Sequence, residues 1–360
     1  MTLGALEESR RLHLGGRKVV AVVGWRVPRE PMLAGNVHTV QITPDLDAAT
    51  PIADELLSSD SGPELRALFE TIASGALGFA QLIVIAPPYA ALSVAIEDLR
   101  RAGLLREQVP PTFFFEVLVS REAESRLFLT DRIRDLVVRL KSLGLTISSA
   151  DLQQAVRRSN GARREVAGLL EDRGRFNGSS VIAKIAAGAS MDPEAHTALL
   201  RSDDAPRVPA ASTRVLICSS SVLYDDRLHR LVEACGGQVL GEDDINGSCH
   251  ALGQVDESGD PIEALGAFFF ENQPPQHTAP GDVRLRWVLE RSRAADVDGV
   301  VFYAEDPTWG WDLPALRTAL QANGKRSVLI AQDVRTQKGA DAAYRSLSEF
   351  LQANRGATTQ

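Results

Sequence analysis

Short, nearly uninterrupted apolar runs rich in β-branched residues punctuate this chain, and stretches with helical spacing separate them. The first group is KVVAVVG (Lys18–Gly24), HTVQIT (His38–Thr43), QLIVIAP (Gln81–Pro87) and TFFFEVLV (Thr112–Val119). The second is TRVLICSS (Thr213–Ser220), GQVLGEDD (Gly237–Asp244), DGVVFYAE (Asp298–Glu305) and KRSVLIAQD (Lys325–Asp333). A strand that stays apolar on both sides must be covered on both sides, and strands alternating with helices favour βαβ units in a parallel sheet. The segments VVAVVGWRVPREPMLAGNVHTVQIT and RVLICSSSVLYDDRLHRLVEACGGQVLGED run alike: strand, loop, short helix, strand. The expected fold is therefore α/β: two similar open, mostly parallel-sheet domains, flavodoxin- or Rossmann-like, with a helical insert between them.

The pattern changes after Ser120, where the period stays near that of a helix and strand signals vanish as far as about Arg201. Within this stretch Ser148 or Ser149, followed by Asp151, has the form of an N-cap with an acid in the first turn. SDDAPRVPAAS then reads as a linker. The expected boundaries are residues 17–120 for the first α/β domain, 121–201 for the helical subdomain, 202–212 for the linker and 213–354 for the second α/β domain. A cleft between two such domains is the default ligand site.

A length of 360 residues suits two or three domains, and a net charge of -8 argues against a nucleic-acid binder, which needs a basic face. No apolar run is long enough for a signal peptide or a membrane span. The 3 cysteines, Cys218, Cys235 and Cys249, fit no disulfide framework or zinc module, so a reducing cytoplasmic setting is expected.

Acidic clusters follow three strand or helix-start signals: Asp225–Asp226, Glu242–Asp243–Asp244 and Glu305–Asp306. Parallel strands bring such ends to one crevice, where carboxylates hold a cation or orient a polar ligand. Helix capping is the simpler role, and it suits Asp225 and Asp226. Walker loops, nucleophile elbows and His-Glu-x-x-His patterns are absent from the sequence. His229 falls in a predicted helix and reads as a surface residue, and Cys249-His250 alone do not make a metal site. Arg157, Arg158, Arg163, Arg164, Arg173 and Arg175 read as a solvated helix face, with ligand phosphates as the sharper alternative.

The segments VLICSSSVLYDDRLHRLVEACGGQVLGEDDINGS, GDPIEALGAFFFENQPP and RLRWVLERSRAADVDGVVFYAEDPTWGWDLPALRTAL resemble the 2-hydroxyacyl-CoA dehydratase and benzoyl-CoA reductase subunit family. VVAVVGWRVPREPMLAGNVHTVQITPD and LGFAQLIVIAPP resemble that family's opening motifs, and the similarity runs in order from about Arg17 to Leu351. The resemblance implies two α/β domains with helical additions, an acyl-CoA thioester as ligand and a homologous partner subunit. It also implies an ATP-dependent iron–sulfur activator that delivers one electron for ketyl-radical chemistry, and a [4Fe–4S] cluster held by three cysteines. The substrate cleft it implies is lined by Trp25, Arg26, Asp243, Asp244, Asp306 and Trp309.

The cluster cysteines are where this chain departs from the family. Their positions fall on Gly62 in SGPELR, on Ile245 after the acidic run, and on Glu305 before Asp306-Pro307. Iron–sulfur clusters need thiolate donors, so no cluster and no other metal is expected on this chain. The expected role is a cluster-less subunit of a heterodimer whose cysteine-bearing partner carries the [4Fe–4S] cluster, without nucleic-acid or membrane partners. The alternative is a stand-alone acyl-CoA lyase or binding protein that uses carboxylates, Glu305 foremost as acid or base, with or without a divalent metal.

Overall fold

The structure is a computed structural model that describes residues 2–118, 120–202, 213–220, 223–244, 247–248, 253–273, 281–294, 297–304, 310 and 312–355. The chain folds as two compact units, and both draw on separated pieces of sequence. Unit 1 comprises Met1–Ala162, Gly188–His196 and Gln254–Glu271; unit 2 comprises Arg163–Ala187, Thr197–Gly253 and Asn272–Gln360.

Unit 1 begins with α1 (Thr2–Leu14), which the sequence patterns did not disclose, and continues through β1 (Val19–Val23), α2 (Glu30–Ala34), β2 (His38–Ile42), α3 (Pro51–Leu56) and α4 (Pro63–Ala73). Next come β3 (Leu82–Ile85), α5 (Ala90–Arg101), β4 (Thr112–Phe114), α6 (Ala123–Ser142) and α7 (Ser149–Glu171), whose residues pass from unit 1 to unit 2 after Ala162. Beyond it lie α8 (Gly178–Ala187), α9 (Pro193–Arg201), β5 (Thr213–Ser219), α10 (Arg227–Ala234) and β6 (Gly237–Glu242). The remainder is α11 (Pro261–Glu271), α12 (Asp282–Ala294), β7 (Gly299–Tyr303), α13 (Leu313–Ala322), β8 (Arg326–Ile330) and α14 (Gln337–Arg355).

Each unit holds a 4-stranded parallel sheet, ordered β2-β1-β3-β4 in unit 1 and β6-β5-β7-β8 in unit 2. Successive side chains of a strand face opposite ways, and the cores follow that rule. Val20, Val22, Leu82 and Val84 pack with α6 and α11, while Val19, Ala21, Val23, Ile83 and Ile85 pack with α4 and α5. In unit 2 Val215, Ile217 and Val301 face α10 and α14, and Leu216, Cys218, Val300 and Phe302 face α12 and α13. This two-sided burial is why the strands read as continuous apolar runs.

The fourth expected strand is shorter than TFFFEVLV suggested. β4 ends at Phe114, one further bond joins the Phe115 N–H to the Ile85 carbonyl at 2.8 Å, and the chain then leaves the sheet. Phe115 and Val117 stay buried as core side chains, so apolarity outlasts the ladder. The helices after Ser120 divide between the two units, with α6 in unit 1 and α8 in unit 2. The start of α7 is set by Ser148: its Oγ accepts from the Asp151 N–H at 3.2 Å while Asp151 accepts from the Ser148 N–H at 2.8 Å. That reciprocal capping satisfies two otherwise orphaned donors.

Candidate functional site

In an open parallel sheet the crevice lies where strand order reverses, beyond the carboxyl ends. In unit 1 that point is between β1 and β3, which leave the sheet in opposite lateral directions to reach β2 and β4. There the two exit loops press together at Gly24. Its φ is +87, and a Cβ built on it would lie 2.4 Å from the Ala86 carbonyl oxygen and 2.8 Å from that of Pro87. Only glycine meets both demands. Gly24→Ala is expected to cost roughly 2–4 kcal/mol through backbone strain and overpacking. Thermal unfolding checks this, with Gly62→Ala as the control, because a Cβ at Gly62 meets nothing within 4 Å.

Past Gly24, the Trp25 N–H donates to the Pro87 carbonyl at 3.3 Å, and its ring meets that of Tyr89 edge-on, with centroids 6.0 Å apart. The buried Tyr89 hydroxyl donates to Glu64 at 3.1 Å. Glu64 stands in the first turn of α4, whose N-cap is Gly62 and whose first residue is Pro63, a residue with the helical φ built in. Trp25, Tyr89, Glu64 and the Gly62 position thus form one connected rim. Tyr89 and Glu64 carry no motif of their own, although their places just after β3 and just after Gly62 marked them. Arg26, next to Trp25, adopts φ 65 and donates from Nη2 to the Phe269 carbonyl. Burial, with the repulsion of Arg121, pulls its pKa down to about 10.

Unit 2 reverses its strand order between β5 and β7. Glu305, Asp306 and Trp309, expected just after β7, and Ile245 and Cys249-His250, expected after β6, lie outside the described residues. Glu242, Asp243 and Asp244 are described, and all three are fully buried. They turn into the protein instead of lining an open crevice. Asp243 accepts from the Ser219 N–H at 2.9 Å and from Arg284 Nε at 2.8 Å, and Asp244 accepts from the Leu223 N–H at 2.8 Å. Arg284 also donates to Asp312 at 2.9 Å and to the Ser219 carbonyl at 2.6 Å, so it ties the ends of β5 and β6 to the start of α13. Burial raises the Asp243 pKa while Arg284 and the Ser219 N–H pull against it. Arg284 is also buried, yet Asp243 and Asp312 hold its pKa above the ordinary value.

Glu242 sits in a second knot. Arg173 reaches both of its oxygens, one at 2.8 Å, His229 Nε2 lies at 2.7 Å, and the Ser248 hydroxyl donates at 2.8 Å. Burial opposes the charge on Glu242, but the Arg173 guanidinium and the His229 hydrogen bond outweigh it and hold the pKa well below the ordinary carboxylate range. Two readings are corrected here. His229 is fully buried, not a surface residue, and Arg173 is buried rather than part of a solvated face. His229 Nδ1 meets no acceptor or donor, which places the shared proton on Nε2. Arg158 does lie toward solvent and pairs with Glu194 at 2.6 Å. At the start of α10 it is Asp225 that accepts a helix N–H, from Arg227 at 3.0 Å, while Asp226 makes no side-chain cap and pairs with Arg230.

Nothing among the described residues brings together the thiolates that an iron–sulfur cluster needs. Gly62 offers no donor; Cys218 is sealed inside β5; the Cys235 Sγ accepts from Ser348 at 3.3 Å, with its pKa raised by burial. Among the described residues no group of three His, Cys, Asp or Glu side chains gathers around a common point, and no helix is long and apolar enough to cross a membrane.

No curated protein matches the chain. A family model does: that of the 2-hydroxyglutaryl-CoA dehydratase D-component matches residues 24–346. The match opens at Gly24, directly after β1 and where the two exit loops meet, and takes in every other strand of both sheets. The chain therefore belongs to the 2-hydroxyglutaryl-CoA dehydratase D-component family.

Proposed function

We propose that this chain is a cluster-less subunit of a 2-hydroxyacyl-CoA dehydratase or benzoyl-CoA reductase-like complex. It supplies interface and part of an acyl-CoA cleft, and a homologous partner holds the [4Fe–4S] cluster and performs the redox step. The observation that carries this reading is the family match over residues 24–346, taken with the sequence resemblance that puts Gly62, Ile245 and Glu305 where the family's cluster cysteines are expected. Glycine and isoleucine have no metal-binding group, and one carboxylate does not replace three thiolates. The shared strand order of the two sheets supports reading the α/β units as related. A reducing, cytoplasmic setting and docking of an ATP-dependent activator belong to the same reading.

In this role the chain's own residues bind and orient. The rim of Trp25, Tyr89 and Glu64 offers an aromatic edge beside a carboxylate at the unit 1 strand ends. A stand-alone enzyme built on carboxylates would have to rest on Glu305 and Asp306, because Asp243 and Asp244 are already engaged by Ser219, Arg284 and Leu223.

The test is an anaerobic pull-down of the tagged chain from its native host, with stoichiometry and iron measured on the product. A one-to-one homologous partner and about four irons per heterodimer, the content of one [4Fe–4S] cluster, are expected. A solitary chain without iron, active by itself, would discard the reading.

A further inference from the structure

The loop leaving β1 holds a cation, Arg26, that no carboxylate among the described residues neutralises. Arg26 lies in the left-handed region at φ 65, uncommon for a long side chain. Its Nε is sealed from water without an acceptor, and its one hydrogen bond runs from Nη2 to the Phe269 carbonyl. Among the described residues no carboxylate pairs with it. The charge that acts on it is a second cation, Arg121, in the chain segment after β4. Other arginines in the protein are treated differently: Arg173 has Glu242, Arg284 has Asp243 and Asp312, and Arg17 has Asp192. A half-buried guanidinium whose Nε is sealed off, strained at its backbone and left without counter-charge, lowers the stability of the folded chain. Such strain persists where a ligand repays it. Arg26 stands at the carboxyl end of β1, where the strand order reverses and ligands of open sheets bind.

We propose that Arg26 receives an anionic oxygen group of the ligand, a carboxylate or a phosphate. The planar fork of arginine matches both groups. The inference deepens the acyl-CoA reading and rests on it for the choice of probes. A CoA ester carries phosphates on its nucleotide end, and a dicarboxylic acyl group carries a carboxylate on the other.

Arg26→Asn is the informative variant, because asparagine tolerates the left-handed conformation and removes the charge. Calorimetric titration uses CoA, butyryl-CoA, glutaryl-CoA, glutarate and pyrophosphate against the chain in the assembly in which it is isolated. Arg26→Asn is expected to weaken binding about 10- to 100-fold, the range for a lost charge-assisted hydrogen bond. It is also expected to raise the melting temperature of the ligand-free protein. A residue that only tied the loop to Phe269 would lower it. A loss confined to glutaryl-CoA and glutarate assigns the acyl carboxylate, and an equal loss for all CoA species and pyrophosphate assigns the phosphates. Pyrophosphate or glutarate bound through Arg26, with no CoA ester bound, keeps the anion site and removes the acyl-CoA reading. CoA esters bound with unchanged affinity in Arg26→Asn keep that reading and overturn this inference, as does a wild-type chain that binds none of the probes. If Arg26→Asn does not fold, Arg26→Lys replaces it: severalfold weaker binding supports the site, and unchanged affinity overturns it.

Discussion

Arg173→Ala is expected to destabilise unit 2 by about 3–5 kcal/mol, the usual cost of leaving one member of a buried ion pair alone. The variant takes the guanidinium away from Glu242, which is fully buried, and leaves His229 and the Ser248 donors against its charge. Hydrogen exchange localises the loss: the amides of β5 and β6 should exchange faster, while those of β1 and β3 should not. Arg175→Ala, two residues on at an exposed pair with Asp172, should leave exchange unchanged. The wild-type network also sets a pH dependence. Glu242 has a folded pKa below its unfolded value, so its contribution is complete above the unfolded value near 4.5. It is lost as pH falls from there through the folded value. Urea unfolding at pH 7 and pH 4 should show that decline, and a flat profile would count against a charged Glu242.

The second large effect is expected at Arg284. Arg284→Ala removes the guanidinium shared by Asp243, Asp312 and the Ser219 carbonyl, and a loss of about 3–5 kcal/mol is expected at neutral pH. The pH dependence here runs the other way. Burial already raises the Asp243 pKa, and without Arg284 the strongest opposing influence is gone. A folded pKa above the unfolded value gives a contribution that is full below the unfolded value and fades as pH rises through the folded one. The deficit of Arg284→Ala should therefore shrink on acidification, and Asp243→Asn on the same background should remove most of its pH dependence. A deficit that stayed constant from pH 8 to pH 5 would show that Asp243 is not the group left stranded.

The strands were legible because both sheets are covered on two sides, and burial of that kind leaves a mark on every residue of the run. β4 shows the limit of that signal. Phe115 and Val117 are as apolar as the strand before them, yet they are buried off the ladder. The polar core was not legible at all. Arg173 finds Glu242 sixty-nine residues away, and Arg284 finds Asp243 forty-one residues away. Nothing local separates a buried arginine of that kind from the more exposed Arg158 fifteen residues earlier in the same basic run. His229 was misread for the same reason, since its partner Glu242 is the last residue of β6. In unit 1, Trp25 and Arg26 came from the family resemblance. The left-handed backbone of Arg26 and the Tyr89–Glu64 bond depend on loops brought together only by the sheet.

The interleaving of the two units has a consequence for biosynthesis. The chain crosses between them repeatedly, and α11, the last piece of unit 1, ends at Glu271. It lies on α6 so closely that a Cβ on Gly266 would fall 2.1 Å from Thr130 Oγ1, and it brings Leu265 and Phe268 into the unit 1 core. A ribosome must therefore translate nearly half of unit 2 before unit 1 is complete. Until α11 emerges, the apolar face of α6 is a nascent surface for chaperones, and a stop anywhere before Pro261 yields an unfinished first unit instead of a stable half-protein.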